Sequence, residues 1–159
     1  MLILSKNIPY HPVNPVKKMI HEKITEKIIG SAYKVHNQLG FGFLESVYKK
    51  SLMLELEKQG LRANEEVPIT VFYDDIPVGM FFADLVVEDV VIVELKSVQN
   101  LAVIHEVQLV NYLTATKTET GLLINFGPEG VATKRKFQKI RQNIEVRQDV
   151  KDQEYFRQD

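Results

Sequence analysis

Three charged residues interrupt an apolar run over residues 81–96, and their types could support hydrolysis at a phosphate. Asp84 lies in the first half of this run, and Glu94 and Lys96 lie in the second half. The run is rich in Val, Ile and Phe, which favours β-strands. Because successive side chains of a strand point to opposite faces, Glu94 and Lys96 share one face. Burying a carboxylate and an ammonium there is costly unless each finds a partner, a metal or water.

Two interpretations of these charges remain open. Lys96 could form an ion pair with either acid at a sheet edge. Alternatively, the two carboxylates could hold a hard divalent cation while the lysine stabilises the charge that develops when metal-bound water attacks a phosphate. A cation site requires both carboxylates to lie on one face. A two-residue loop at 88–89 would pair Asp84 with Val93 and separate the acids, whereas a three-residue loop or a bulge would pair Asp84 with Glu94. We therefore predict an irregular turn.

The elements that must position these residues are predicted from changes in hydrophobic period. Helical spacing covers residues 16–39, about 44–59 and 104–116, and strands are expected at 67–73, 76–87, 90–97, 121–126 and 131–140. This order predicts an α/β sandwich, in which a mixed central sheet, antiparallel at the hairpin, is flanked by helices. Helix 104–116 connects the strand of Lys96 to strand 121–126, so these two strands should be parallel, with a right-handed connection.

Two helices carry further polar candidates. Glu45 and Tyr48 are three residues apart at the start of the second helix, and Gln108 and Tyr112 are four apart on the third, so each pair shares a helix face. A glutamate in the first turn can simply favour the positive end of the helix dipole. If that helix end points at the hairpin, Glu45 adds a third carboxylate to the site.

Composition limits the remaining possibilities. The 159 residues suffice for one domain; 45% are hydrophobic and 26% charged, which is typical of a soluble globular protein. The chain has no cysteine, which excludes thiol nucleophiles and thiolate zinc sites. Zinc-binding histidine spacing, a phosphate-binding glycine loop and a serine-hydrolase motif are also absent. With no apolar run of about 20 residues and no export signal, we expect a cytoplasmic protein without membrane contact.

The net charge of −1 means that any nucleic-acid binding must use a local basic patch. Lys134, Arg135 and Lys136 form the candidate patch, although a charge run is more often a solvated face.

The predicted organisation is an extended arm at 1–15 with three prolines, a single domain at 16–141 and a tail at 142–159.

Several separated motifs together resemble a known family. Residues 42–48 read G-x-x-E-x-x-Y, and the chain also contains His36, Asp84, E-x-K at 94–96, Q-x-x-x-Y at 108–112 and Leu-Ile-Asn-Phe at 123–126. In this order they resemble the GxxExxY protein family, which is assigned to the PD-(D/E)XK nuclease superfamily, and the Q-x-x-x-Y element resembles RecB-type nucleases. The resemblance covers about residues 20–137. It departs from the superfamily pattern at Ala83, where the name has proline.

The resemblance implies a restriction-endonuclease-like fold and a metal-dependent nuclease that hydrolyses DNA or RNA by metal-activated water. Asp84 and Glu94, with the Leu95 carbonyl as a further ligand, would bind Mg²⁺ or Mn²⁺, and Glu45 would complete the shell or orient a water. Lys96 would position the attacking water, while Gln108 and Tyr112 would brace the site or the substrate.

Two other functions stay open beside the nuclease, and neither involves catalysis. A catalytically silent nuclease-fold module could bind nucleic acid or a protein partner. An adaptor could use its apolar surface, with the charged residues serving only as an ion-pair cluster. The sequence leaves the oligomeric state undetermined.

Overall fold

The computed structural model describes residues 14–138. They form three helices and five strands in the order α1 (Pro15–Leu39), α2 (Glu45–Lys58), β1 (Ala63–Tyr73), β2 (Ile76–Val87), β3 (Val91–Lys96), α3 (Val103–Thr116), β4 (Thr120–Gly127) and β5 (Gly130–Phe137). Of the predicted arm, only Asn14 and Pro15 are described; they cap and begin α1. The predicted tail and the last residues of the predicted domain lie outside the described residues.

All five strands join one sheet in the order β1-β2-β3-β4-β5. β3 and β4 are parallel, and the other neighbouring strands are antiparallel. This mixed sheet confirms the predicted architecture. In the parallel pair, Lys96 lies opposite Asn125, so the carboxyl ends of both strands meet at the same edge.

Two hydrophobic clusters cover the two faces of the sheet. The cluster under α1 and α2 includes Leu52, Val93 and Ile124, and the cluster under α3 includes Ile92, Leu109 and Leu123. Because β3 contributes alternate residues to the two clusters, both of its faces are buried. This burial explains why β3 reads as an apolar run in which Glu94 is the one charged residue before Lys96 at its end.

The helices were located correctly from the sequence, but helical spacing of apolar residues does not by itself show which of them are buried. Ile20 on α1 and Leu44 before α2 are exposed, and so are Val107 and Val110 on α3. On α3 the buried side chains are Leu109, Tyr112 and Leu113. Because apolar side chains lie on the exposed side of α3 as well as on its buried side, its period alone does not identify the face that packs on the sheet.

Part of the way along the β1–β2 hairpin, the side chains that faced α1 and α2 give way to side chains that face α3. On β2, Leu85 packs in the α1/α2 cluster and Ala83, two residues earlier, packs in the α3 cluster. Residues two apart in a regular strand share a face, so β2 exchanges its faces at Asp84. We call this irregularity the face switch.

β1 makes the same exchange directly opposite. Ala63 packs against the α1/α2 cluster and Val67 against the α3 cluster, and Glu66 between them has a left-handed φ of 50°. The register pairs Glu65 with Leu85 and Val67 with Ala83 but leaves Glu66 and Asp84 without a ladder pair. The main-chain groups of Asp84 are therefore available for other partners.

None of the helices within residues 14–138 is both long and apolar enough to cross a membrane.

Candidate active site

The turn between β2 and β3 sets the relation between the two central acids. Val87 pairs with Val91, so the loop contains three residues, and Val90 N donates to Val87 O at 3.1 Å. Glu88 and Asp89 both adopt left-handed φ values, of 52° and 58°. The irregular turn predicted from the sequence is confirmed, and its register leads Asp84 to a position opposite Glu94.

Asp84 and Glu94 are held by each other's strands. The Asp84 N–H, which the face switch leaves without a ladder partner, donates to Glu94 Oε1 at 3.2 Å. In return, Asp84 Oδ2 accepts a hydrogen bond from Leu95 N at 2.7 Å. Each carboxylate thus replaces a main-chain carbonyl in the ladder, and the pair occupies the point at which β2 and β3 separate.

The environment of Glu94 disfavours its negative charge. The residue is only 6% exposed, and its burial together with the nearby charge of Asp84 raises its pKa to about 8, against the opposing effect of the Lys96 ammonium. Without a bound cation, Glu94 is therefore largely protonated at neutral pH. A divalent cation would supply the missing positive charge.

Glu45 lies near the Asp84–Glu94 pair on the α1/α2 side of the sheet. It is the first residue of α2, and with Asp84 and Leu95 it lines a shallow pocket of about 160 Å³ that Ser46, Lys49 and Glu66 complete. The pocket joins the start of α2 to the face switch and to the end of β3. Glu45 and Asp84, which are 39 positions apart in the sequence, thus line one pocket.

Lys49 is a pocket residue that the sequence reasoning missed. It pairs with Glu66 and lies 3.4 Å from Glu65, and the hydrogen bond with Glu66 is the main cause that raises its pKa. It lies four residues after Glu45 on α2, a spacing that puts both on one helix face. That spacing was the available signal, but it does not reveal that β1 brings two acids to the same place.

A buried tyrosine fixes the start of α2. Tyr48 is fully buried and stacks on Phe126 with ring centroids 4.4 Å apart. Its hydroxyl donates to Gly40 O at 2.6 Å and accepts from Phe43 N at 3.3 Å. Ser97 Oγ donates to Phe43 O at 3.1 Å, which ties the same loop to the end of β3. The tyrosine of the G-x-x-E-x-x-Y motif therefore positions the loop from which Glu45 emerges.

Lys96 lies half-buried at the end of β3, where a buried asparagine holds the chain that follows. Asn125 accepts from Val98 N at 3.0 Å and donates to Val98 O at 2.9 Å. Within residues 14–138, Lys96 makes no ion pair within 4.0 Å. The simple ion pair with Asp84 or Glu94 is therefore not formed.

Gln108 and Tyr112 contact each other beside the acids. Gln108 Nε2 donates to the Tyr112 hydroxyl at 2.8 Å, and Tyr112 is 6% exposed. Burial, and next the charge of Glu94, raise the pKa of the Tyr112 phenol, which stays neutral and able to donate a proton in a hydrogen bond. The two side chains share one face of α3, as predicted.

The basic run on β5 does not form one patch. Lys134, Arg135 and Lys136 are successive strand residues, so Arg135 points to the face opposite the two lysines. Lys136 pairs with Glu106 on α3, and the charge of Lys134 also acts on Glu106. The two lysines therefore share the α3 side of the sheet, and Arg135 lies on the α1 side.

The oxygen ligands near Asp84 and Glu94 are of the type that binds a hard cation, but they do not form a complete coordination shell. Across residues 14–138, no three histidine or acidic side chains form a group ready to hold a metal. Asp84 and Glu94 are nevertheless in contact through hydrogen bonds, and Glu45 lines the pocket with Asp84. Carboxylate and carbonyl oxygens are the ligands that Mg²⁺ and Mn²⁺ prefer, so these residues fit such an ion in chemical type.

The chain is similar to a solved protein in structure and to a protein family in sequence. A solved structure described as "Crystal structure of SSO0001" is similar over 89% of this chain and 71% of its own, with 18% sequence identity and a TM-score of 0.49. No curated protein matches the chain. The family model of the PD-(D/E)XK nuclease superfamily matches residues 22–140, which include both central acids, Lys96 and α3. The chain therefore belongs to the PD-(D/E)XK nuclease superfamily.

Proposed function

We propose that the protein is a metal-dependent nuclease that hydrolyses phosphodiester bonds of DNA or RNA. The observation that carries this proposal is the Asp84–Glu94 pair, held by main-chain N–H groups at the separation of β2 and β3 and adjoining a pocket that Glu45 lines. Placing the buried Glu94 beside a second acid without an ion-pair partner destabilises a fold, and binding of a cation would give this arrangement a physical reason.

Asp84 and Glu94 are the proposed ligands of Mg²⁺ or Mn²⁺, with the Leu95 carbonyl as a further ligand and Glu45 as the residue that completes the shell or orients a water. A bound divalent ion would lower the pKa of a water molecule and neutralise charge at the phosphate. Glu94 must lose its proton on binding, so binding should release protons below about pH 8.

Lys96 and the α3 residues have supporting roles in this proposal. The Lys96 Nζ orients the attacking water and offsets negative charge on the phosphate, because its side chain follows Glu94 on the same face of β3. Gln108 holds the Tyr112 hydroxyl, and the two brace Glu94 or the substrate. Water adds to phosphorus and the P–O bond to one nucleotide breaks, leaving a phosphate monoester and a hydroxyl.

Substrate binding would use the basic residues of β5 unequally. Lys134 and Lys136 share a face and can contact one phosphate backbone, whereas Arg135 lies on the opposite face. We expect neutralising the two lysines to weaken binding and to reduce its salt dependence. Arg135→Ala should have a smaller effect at the same site.

Cleavage of labelled single- and double-stranded DNA and RNA, with Mg²⁺ or Mn²⁺ and with chelator, tests the nuclease proposal. We expect cation-dependent cleavage by the wild type and a loss of at least about 100-fold for Lys96→Ala, since the lysine stabilises the transition state. Lys27→Ala, at an exposed position of α1, is the matched control and should cleave normally.

A silent binding module is the second candidate, and two observations favour it. The three acids are not assembled into a ready cation site, and the net charge of −1 provides little general attraction to nucleic acid. Calorimetric titration of the wild type and Asp84→Asn with Mg²⁺ and Mn²⁺ separates the two candidates. Absence of binding to the wild type, together with absence of cleavage, would reject the nuclease in favour of the module.

A further inference from the structure

A half-exposed aromatic ring lies beside the candidate active site. Phe81 is 46% exposed and precedes Asp84 by three residues on β2, which is about 10 Å along the strand. Its ring packs against that of Tyr112, with ring centroids 5.8 Å apart. Tyr112 is itself buried, and the charge of Glu94 acts on its phenol. The Phe81 ring is therefore held next to the acids by a buried residue, while about half of it remains open to a ligand.

Phe81 lies on the same side of the sheet as the groups proposed to act on the phosphate. Ala83, two residues after Phe81 in a stretch of regular pairing, packs in the α3 cluster, so Phe81 also faces the α3 side. On β3, Ile92 packs in the same cluster, so Glu94 and Lys96, two and four residues later, project to that side as well. A substrate held at Glu94 and Lys96 can therefore reach Phe81 without crossing the sheet.

The strand itself leaves one flank of the ring uncovered. Gly79, the preceding residue of β2 on this side, has no side chain, and a Cβ atom there would lie 3.7 Å from Phe81 Cε2. Any other residue at position 79 would thus contact the ring. With glycine in this place, a flat group of a ligand can approach Phe81 along the strand.

The low charge of the protein indicates which flat group a nucleic acid would offer to Phe81. The net charge of −1 provides little general attraction to phosphates, so a nucleic-acid ligand must gain affinity from other contacts. Stacking of a base on an aromatic side chain is such a contact, and it strengthens binding by about 5- to 150-fold per base. The bases of a duplex are stacked on one another, so this contact requires an unpaired base.

We propose that Phe81 stacks on an unpaired base of a single-stranded DNA or RNA whose scissile phosphate lies at Asp84 and Glu94. This inference rests on the proposed function, because it places the nucleic acid at the proposed cation site. The stacked base belongs to a nucleotide beside the scissile phosphate, since the ring is about 10 Å from Asp84 along the strand. Phe81 thus selects unpaired over paired substrate and takes no part in the chemistry.

Binding of a labelled single-stranded oligothymidylate, measured by fluorescence anisotropy, tests this inference without any cleavage assay. Ca²⁺, which binds to the same kind of oxygen ligands, replaces Mg²⁺, and an abasic strand of equal length is the comparison. We expect the wild type to bind the strand with bases about 10-fold more tightly than the abasic strand, and Phe81→Leu to lose most of this difference. Phe82→Leu is the matched control, because Phe82 is 50% exposed on the opposite face of β2, and this variant should keep the difference.

An introduced tryptophan gives a second, spectroscopic test, because the chain has no tryptophan of its own. Phe81→Trp keeps an aromatic ring at the position, so it should retain the preference for the strand with bases. Its emission should be quenched by oligothymidylate and much less by the abasic strand. The emission of Phe82→Trp, on the opposite face, should respond to neither strand.

The stacking role of Phe81 is overturned if the wild type binds neither strand or binds both equally, if Phe81→Leu and Phe82→Leu behave alike, or if the Phe81→Trp emission does not change. These results are distinguishable from a failure of the proposed function. Binding through Phe81 without Mg²⁺- or Mn²⁺-dependent cleavage would reject the nuclease and support the stacking. Cleavage by a wild type that binds both strands equally would reject the stacking alone.

Discussion

Glu94 is the residue whose chemistry differs most from its ordinary behaviour. Its folded pKa of about 8 lies above the value of 4.5 expected for a free glutamate, chiefly because it is buried and next because it faces Asp84. A raised carboxyl pKa means that the folded state holds a proton that the unfolded chain has lost. In the absence of metal, stability should therefore fall as pH rises from about 4.5 to about 8, and then level off.

Replacing the Glu94 carboxyl group with an amide should abolish this loss of stability at high pH. We expect Glu94→Gln to be more stable than the wild type at pH 9 by on the order of 2–4 kcal/mol, and close to it at pH 5, because the amide keeps an acceptor for Asp84 N without the charge. Urea denaturation with chelator present, repeated across pH, measures the difference. Glu57→Gln, at an exposed position of α2, controls for the general loss of a carboxylate. An equal pH dependence in Glu94→Gln and the wild type would refute this account.

At the scale of elements, the site depends on how α2 begins beside the end of β3. The loop before α2 is held by Tyr48 and by Ser97 rather than by a side-chain cap, since Leu44 at the cap position makes no such bond. The orientation of Glu45 is thus determined by a buried ring stacked on Phe126.

Removing only the Tyr48 hydroxyl should loosen this junction. We expect Tyr48→Phe to lose about 1–2 kcal/mol of unfolding free energy, because Gly40 O and Phe43 N lose their partner while the ring stack stays. The cation affinity should fall as well, since Glu45 is less well positioned. Denaturation and calorimetric titration measure the two effects.

Tyr33→Phe is the matched control for that change. Tyr33 is 48% exposed, and its hydroxyl is 3.4 Å from Val131 O, so its removal should change both quantities little. Equal losses in the two variants would show that Tyr48 has no special role at the junction.

At the scale of elements, the sequence could predict the turn between β2 and β3 but not the face switch. The three-residue turn followed from requiring Asp84 and Glu94 to share a face, and the register confirmed it. The face switch was not foreseen, because Glu66 is an ordinary glutamate in the sequence and its left-handed φ arises only when two strands pair. Lys49 was missed for a related reason, since its acidic partners come from β1.

At the scale of the whole molecule, the mixed sheet and its flanking helices were predictable from changes in hydrophobic period, because strands and helices here are separated by turn residues. The side of a helix that packs inward was less predictable on α3, because apolar side chains such as Val107 also lie on its exposed side. The position of Arg135 relative to its neighbouring lysines follows from strand alternation only once β5 is known to be a strand.

A cation that binds the site should stabilise the whole fold. With Mg²⁺ or Mn²⁺ at about ten times its dissociation constant, the expected gain is about 1.4 kcal/mol, or several degrees in Tm for a domain of this size. Calorimetric scans with cation and with chelator measure the shift, and Asp84→Asn should lose it. Lys27→Ala, at an exposed position of α1, should keep it, and an unchanged Tm in the wild type would contradict cation binding.

The hydrogen bonds between the two acids and the chain have a spectroscopic consequence. Asp84 N–H and Leu95 N–H donate to side-chain carboxylates rather than to main-chain carbonyls. Their proton chemical shifts in nuclear magnetic resonance spectra should respond when Glu94 gains or loses a proton or when an ion arrives. Two amides of the folded chain are thus built-in reporters of the site, readable in the resting protein before any substrate is identified.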